Sequence, residues 1–282
     1  MGDFGGAVKQ KDTYDLAVLG IPYDAKSSYL RGAAAGPAAI RAASDEDMIN
    51  AFTELGADLF RDADLVDLGD VEASGEFEHV AARIESRLIE VLDRGAVPLV
   101  LGGDHSVTYP IVRTLARAFP SLDILHFDAH PDLYEEFQGD PYSHACPFAR
   151  ILEEGLAARL VQVGIRAATK DHRAKAERSG FRMVEMKDLK DDLTLNFRNP
   201  LYISFDIDAL DPAYAPGVSH LEPGGMSTRQ ALGILHRLEA DIVGMDIVEV
   251  NPSRDPSGIT AAAAAKLIME VAGKIVVERC KS

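Results

Sequence analysis

Two short stretches of this chain concentrate acidic and imidazole side chains in a way that points to metal chemistry. One is Asp128-Ala129-His130-Pro131-Asp132, the other Ser204-Phe205-Asp206-Ile207-Asp208. Each closes an apolar run, and in each the polar side chains recur at every second position. Alternate residues of an extended chain share a face, so Asp128, His130 and Asp132 are expected to point one way, as are Asp206 and Asp208. Carboxylates crowded on one face repel unless a cation lies between them. His105, in Gly102-Gly103-Asp104-His105-Ser106, brings the candidate ligands to six, four carboxylates and two imidazoles. Such a set suits Mn²⁺ better than a thiolate-seeking ion. Six side chains are too many for one catalytic ion with open positions. They suit two ions about 3.5 Å apart, a pair that lowers the pKa of a bridging water and supplies hydroxide at neutral pH. The corresponding chemistry is hydrolysis at an electrophilic carbon or phosphorus. Solvated turns at strand ends are the plain alternative, but acids flanked so closely by apolar residues rarely stay unpaired.

These residues sit at the ends of the elements that must position them. Apolar runs at 15–20, 64–68, 97–101, 122–127, 160–163, 182–184, 201–207 and 242–248 read as strands. Helical periodicity runs over 37–51, 78–93, from the Gly-Gly turn to 119, and over 170–179, 228–238 and 259–277. Proline lies in the first turn at 37, Gly95 follows the end of 78–93, and Ser227 is placed to cap 228–238. About eight strands alternating with helices predict one mostly parallel sheet with helices on both faces. The absence of linker or repeat predicts a single domain over 1–282, with the polar, Gly-rich residues 1–13 as a flexible arm. Open parallel sheets bind ligands at their carboxyl edge. There His105, residues 128–132, Asp206 with Asp208, and Glu249 are expected to converge from four strands.

Composition narrows the function classes. A net charge of −16 argues against nucleic acid and against an anionic membrane surface, and is compatible with a small cationic substrate. Cys146 and Cys280 form no C-x-x-C pair, no apolar run approaches a membrane span, and residues 1–13 lack a signal-peptide core. A cytoplasmic protein with reduced thiols is the expectation. A binuclear phosphoesterase would also use Asp-x-His, but here that motif follows the Gly-Gly-Asp-His, and no Gly-Asn-His-Asp is present.

The chain resembles the ureohydrolase family of arginases, agmatinases and their relatives over nearly its whole length. The resemblance rests on LGIPYD at 19–24, Gly-Pro-x-x-Ile-Arg at 36–41, GGDHS at 102–106, DAHPD at 128–132, SFDIDALDP at 204–212 and DIVEVNP at 246–252. It implies a three-layer α/β/α fold, two Mn²⁺ ions and a homo-oligomer, trimer or hexamer. It also implies roles: His105, Asp128, His130, Asp132, Asp206 and Asp208 as metal ligands, with Asp128 and Asp206 bridging. Asp132 would further accept a hydrogen bond from the bridging hydroxide, His144 would shuttle protons, and Glu249 would hold the substrate guanidinium. A carboxylate matches the paired N–H groups of a guanidinium, and the departing amine needs a proton, relayed through Asp132 and His144.

Within the family, the absence of an Asn two residues after Asp132, the acidic stretch 135–142 and YSH-x-x-PF at 142–148 resemble agmatinases. Agmatine, cleaved to urea and putrescine, is therefore the expected substrate; Glu135, Glu136 and Asp140 are candidate partners for its ammonium, although a solvated loop is the plainer role for each. Pro131 in the metal motif, Ala145-Cys146 after the shuttle histidine and the loop 217–225 depart from the usual pattern. They leave arginine, 4-guanidinobutyrate, 3-guanidinopropionate and formiminoglutamate open. Cys146 has no evident activating base and reads as a packed residue. A relative that binds metal or ligand without catalysis is the alternative of another class.

Overall fold

Side chains alternate across each central strand between two apolar layers, and that alternation sets the architecture. Leu99, Leu101, Leu125, Phe127, Ile203 and Phe205 belong to one buried cluster; Val100, Ile124 and Tyr202, between them in sequence, belong to another. The computed structural model describes residues 3–7, 13–45 and 50–280. The strands are β1 (Leu16–Gly20), β2 (Leu65–Asp70), β3 (Val97–Leu101), β4 (Asp123–Phe127), β5 (Arg159–Ile165), β6 (Arg182–Glu185), β7 (Leu201–Asp206) and β8 (Ile242–Val248). All pair in parallel, in the order β2-β1-β3-β8-β7-β4-β5-β6. The helices are α1 (Gly36–Ala43), α2 (Leu59–Asp62), α3 (Phe77–Leu92), α4 (Thr108–Ala118), α5 (Pro147–Glu153), α6 (Lys170–Ser179), α7 (Thr228–Arg237) and α8 (Ile259–Arg279). Side chains of α1, α7 and α8 pack on one face of the sheet and those of α3, α4 and α5 on the other, giving the expected α/β/α layering.

Strand β3, strand β8 and helix α6 have the boundaries expected from the sequence, and the Ser227 cap forms a box with Gln230. Other elements differ. The helix expected over 37–51 stops at Ala43, where the Ser44 N–H bonds back to the Ile40 and Arg41 carbonyls. Ala51 is not helical, and residues 46–49 lie outside the described residues. Helix α5 was not anticipated: its seven residues are too few to show a period, although Pro147 marks its first turn. Part of the arm expected to be flexible is tied down. Phe4 is fully buried, and its N–H donates to Asp67 Oδ2 at 2.9 Å; residues 8–12 of that arm lie outside the described residues.

Asp67 is also half of a buried ion pair that ties α1 to the end of β2. Arg41 Nε and Nη2 donate to its two oxygens at 2.7 and 3.0 Å, and Nη1 donates to Asp70 Oδ1 at 2.5 Å. The Arg41 side chain is 4 % exposed and that of Asp67 is 2 %, so removing one partner strands a charge in the interior. Arg41→Ala is expected to cost about 3–5 kcal/mol in urea unfolding, and Arg41→Lys less, since an ammonium retains the charge without the two-pronged fit. A loss below about 1 kcal/mol, the range of surface pairs, would show that water reaches this pair.

Candidate metal centre

The four strands expected to supply the site, β3, β8, β7 and β4, are consecutive in the middle of the sheet. Their carboxyl ends therefore deliver His105, Glu249, Asp206 and Asp128 to one place. After β3 the chain must pass close to the β1 loop. A Cβ on Gly103 would overlap the Tyr23 carbonyl; glycine permits the approach, and the Asp104 N–H donates to that carbonyl at 2.8 Å. Gly103 O in turn accepts the Glu249 N–H at 2.8 Å. Asp104 then caps the next turn by accepting the Ser106 N–H, which sets the direction of His105.

Period-two alternation is not what brings the acids together. Beyond Phe127 the ladder ends, Asp128 Oδ1 accepts the His130 N–H at 2.5 Å, and Asp132 takes a left-handed φ of 51°. Asp208 likewise lies past β7 in a tight turn, where its N–H donates to Asp206 Oδ1 at 2.8 Å. Short carboxylates that bond their own following backbone favour such turns, and these turns aim the side chains inward.

All six candidate ligands meet. His105 Nδ1 lies 3.3 Å from Asp128 Oδ2, 3.0 Å from Asp132 Oδ2 and 3.3 Å from Asp206 Oδ2. His130 Nδ1 lies 3.4 Å from Asp128 Oδ1 and 3.1 Å from Asp208 Oδ2. Asp128 thus gives one oxygen to each group, the arrangement of a bridging carboxylate between two cations. Asp206 places Oδ2 beside His105, and its Oδ1 accepts the Asp208 N–H, as Asp128 Oδ1 accepts the His130 N–H.

The donor set fits the implied manganese pair on a direct observation. His105 Nδ1 is buried and has no hydrogen-bond partner, although three carboxylate oxygens surround it. Its other nitrogen lies 3.0 Å from Ser204 Oγ, and Ser204 Oγ donates to Asp246 Oδ1 at 2.8 Å. With its own hydrogen committed to Asp246, Ser204 accepts from Nε2, so the proton sits on Nε2 and the Nδ1 lone pair is free to ligate. Histidine ligands are commonly oriented in this way. Asp246 is held by Thr108 Oγ1 and the Tyr202 hydroxyl, each at 2.6 Å. A second support reaches Asp128. Gln162 Nε2 donates to the Pro131 carbonyl at 2.7 Å and to His126 Nδ1 at 2.9 Å, so His126 Nε2–H donates to Asp128 Oδ2 at 2.8 Å. Phe148 of α5 stacks on His126 with ring centroids 3.8 Å apart.

None of Ser204, Asp246, His126 and Gln162 was assigned a role from the sequence. The available signal was a polar residue inside an otherwise apolar buried strand, as Asp246 is in Ile242–Val248 and His126 in Asp123–Phe127.

Electrostatics favour a cation. Burial, then Asp208 and Asp128, push Asp206 well above the usual carboxylate range; burial and Asp128 also raise Asp208. Burial opposes charge on His105, but the three surrounding carboxylates outweigh it and raise its pKa well above the usual value. Protons on these groups offset like-charge crowding, and divalent ions would displace them. Asp246→Asn or Ser204→Ala is expected to weaken Mn²⁺ binding by about 10- to 100-fold in metal titration while the fold stays intact by circular dichroism. Unchanged affinity in both variants would sink the assignment of this chain of hydrogen bonds.

Beside the metal cluster, His144 Nδ1 lies 2.8 Å from Glu249 Oε1, which also accepts the His105 N–H at 2.9 Å. The two bonds to Glu249 share Oε1. His144 Nε2 accepts the Ser28 N–H at 3.1 Å and lies 2.7 Å from Ser28 Oγ. Burial opposes the imidazolium and Glu249 favours it more strongly, so the His144 pKa is pushed up to about 9. Burial also opposes ionisation of Glu249, and the His144 charge holds its pKa below the usual range. His130, Asp132, His144, Asp206, Asp208 and Glu249 line one cavity of about 200 Å³, with Tyr134, Phe137, His172 and His220 completing much of its wall. Glu135, Glu136 and Asp140 are not among the residues that line it. Asp140 pairs with Lys26 at 2.7 Å, and Glu135 is 81 % exposed. Cys146 is buried, and burial pushes its thiol up to about 12, as expected of a packed residue.

An α/β/α sheet with this carboxylate and histidine cluster at its carboxyl edge is the arrangement of a metal-dependent hydrolase. The profile of the Arginase family matches residues 14–273, and the chain belongs to that family. It is 45 % identical to mitochondrial arginase 1 of Arabidopsis thaliana over 277 residues, covering 92 % of this chain and 80 % of that protein. It is 38 % identical to the mitochondrial guanidino acid hydrolase of Homo sapiens over 273 residues, covering 91 % and 77 %. The solved structure of arginase from Medicago truncatula superposes with a TM-score of 0.87 at 43 % identity, covering 96 % of this chain and 89 % of that one.

Proposed function

We propose that this protein hydrolyses a guanidino acid, L-arginine first among them, to urea and the corresponding amine. The observation that carries the hydrolytic reading is Asp128, one oxygen beside His105 and the other beside His130, in a cavity shared with Glu249. When bound there by His105, Asp128, His130, Asp132, Asp206 and Asp208, two Mn²⁺ ions would supply hydroxide from a shared water at neutral pH. Glu249 accepts guanidinium N–H groups, mainly through Oε2, because Oε1 already serves His144 and the His105 backbone. That contact orients the central carbon toward the metal site. His144, held through Nδ1 by Glu249 and lining the same cavity, is placed to deliver a proton to the departing amine, and Asp132 to pass a proton toward it.

Arginine takes precedence over agmatine for two reasons. The carboxylates that line the cavity all belong to the metal cluster or are Glu249, so no further acid borders it to meet the lone ammonium of agmatine, whereas the α-ammonium of arginine is offset by its own carboxylate. The relatives at 45 % and 38 % identity are named for arginine and for guanidino acids. One observation favours agmatine: Glu222 stands 3.8 Å from His130 Nε2 and could meet an ammonium there.

Urea release by Mn²⁺-loaded protein separates the two. A kcat/KM at least about tenfold higher for L-arginine than for agmatine is expected, one polar contact's difference; preference for agmatine would overturn the guanidino-acid assignment. Glu249→Gln is expected to keep its metal and to lose about 10- to 100-fold in kcat/KM, the scale of a hydrogen bond to a charged group. Unchanged turnover would remove Glu249 from substrate binding.

A further inference from the structure

Among the described residues that line the cavity, His172 carries a buried side-chain atom with no hydrogen-bond partner: its Nε2. The residue is 4 % exposed and lies three positions into the first turn of α6, away from the strands that carry the metal ligands. Its ring is fixed from two sides. The Thr169 N–H donates to Nδ1 at 3.4 Å while Thr169 Oγ1 accepts the His172 N–H at 3.1 Å, a reciprocal cap. Tyr134 meets the ring at 78° with centroids 4.4 Å apart. Because Nδ1 accepts, the proton of the neutral ring is on Nε2, and burial lowers the pKa so that the ring stays neutral.

A neutral N–H has no lone pair for an ammonium. It suits an acceptor, and an unsatisfied buried donor is costly until one arrives. Beside it, Tyr134 and Phe137 line the same cavity with their rings 5.0 Å apart, an apolar wall for a methylene chain.

We propose that His172 is a specificity-determining residue whose Nε2–H donates to the distal carboxylate of the substrate. This rests on the guanidino-acid reading above. The guanidinium end lies at Glu249 beside the metal site, the methylenes pass Tyr134 and Phe137, and the carboxylate ends at the start of α6.

The test uses a matched pair of ligands, 4-guanidinobutyrate and propylguanidine, which differ only in the carboxylate. Each competes with radiolabelled L-arginine, or with the best guanidino-acid substrate, for urea release by the Mn²⁺-loaded protein. His172→Leu is expected to weaken 4-guanidinobutyrate by about tenfold or more and propylguanidine by less than about twofold. His172→Gln, which keeps an N–H donor, is expected to recover most of the loss. Thr169→Ala loosens the cap but leaves the imidazole in place, and is expected to preserve the selectivity ratio. If His172→Leu weakens both ligands alike, or neither, the assignment is overturned; equal loss with Thr169→Ala would make His172 a helix cap and nothing more. A wild-type protein that hydrolyses agmatine and no guanidino acid overturns the substrate reading and this contact together. Turnover of guanidino acids with an indifferent His172→Leu overturns this contact alone.

Discussion

Four carboxylates brought within a few ångströms of two imidazoles, inside protein, are the constraint on which the rest of this structure depends. Asp128, Asp206 and Asp208 are buried, and Asp132 is nearly so. Without positive charge between them they would have to protonate or move apart. The fold prevents them from moving apart by fixing the surroundings, and leaves protons to offset the crowding until cations replace them. Asp246 anchors Ser204, Ser204 orients His105, and Gln162 with Phe148 holds His126 against Asp128. These partners lie on β8, β7, β5, β4 and α5, so both the sheet and one helical layer hold the site in place. The site is a property of the whole sheet centre more than of any one motif.

The parallel topology makes this possible at little local strain. Consecutive parallel strands end on the same edge, so the polar turns after β3, β8, β7 and β4 meet without long excursions. Among the described residues other than glycine, Asp132, Gln138 and Glu249 take positive φ, and the first and last of these belong to the site. Asp132 and Glu249 line the cavity, and backbone strain is commonly concentrated at functional positions. Deep burial of the supports and a more accessible His130, 27 % exposed, fit a site whose ligands are held firmly and whose mouth admits a small molecule.

Much of the fold was legible in the sequence because buried parallel strands are near-continuous apolar runs. Val97–Leu101 and Ile242–Val248 could be bounded to the residue for that reason. The six candidate ligands stood out because acids after such runs are unusual. Their mutual direction was not, because it comes from turns at 128–132 and 206–208 that bond their own backbone instead of continuing the strand. The supporting residues escaped notice because a single His126 or Asp246 in an apolar strand names no partner until the sheet order is known. The acids at 135, 136 and 140 stood as candidate ammonium partners, with a solvated loop as the plainer reading of each. Their charge was visible, but nothing in the sequence revealed that Asp140 pairs with Lys26 or that Glu135 is exposed and does not line the cavity. His172 looked like one residue of a charged helix; its position inside the cavity wall depends on how α6 follows β5.

The most direct test of the binuclear assignment is anomalous scattering at the manganese edge from crystals of the Mn²⁺-loaded protein. Two peaks about 3.5 Å apart are expected, one against His105 and the other against His130, with Asp128 between them. A single peak, or two peaks that do not share Asp128, would contradict the bridging carboxylate from which the proposed chemistry follows.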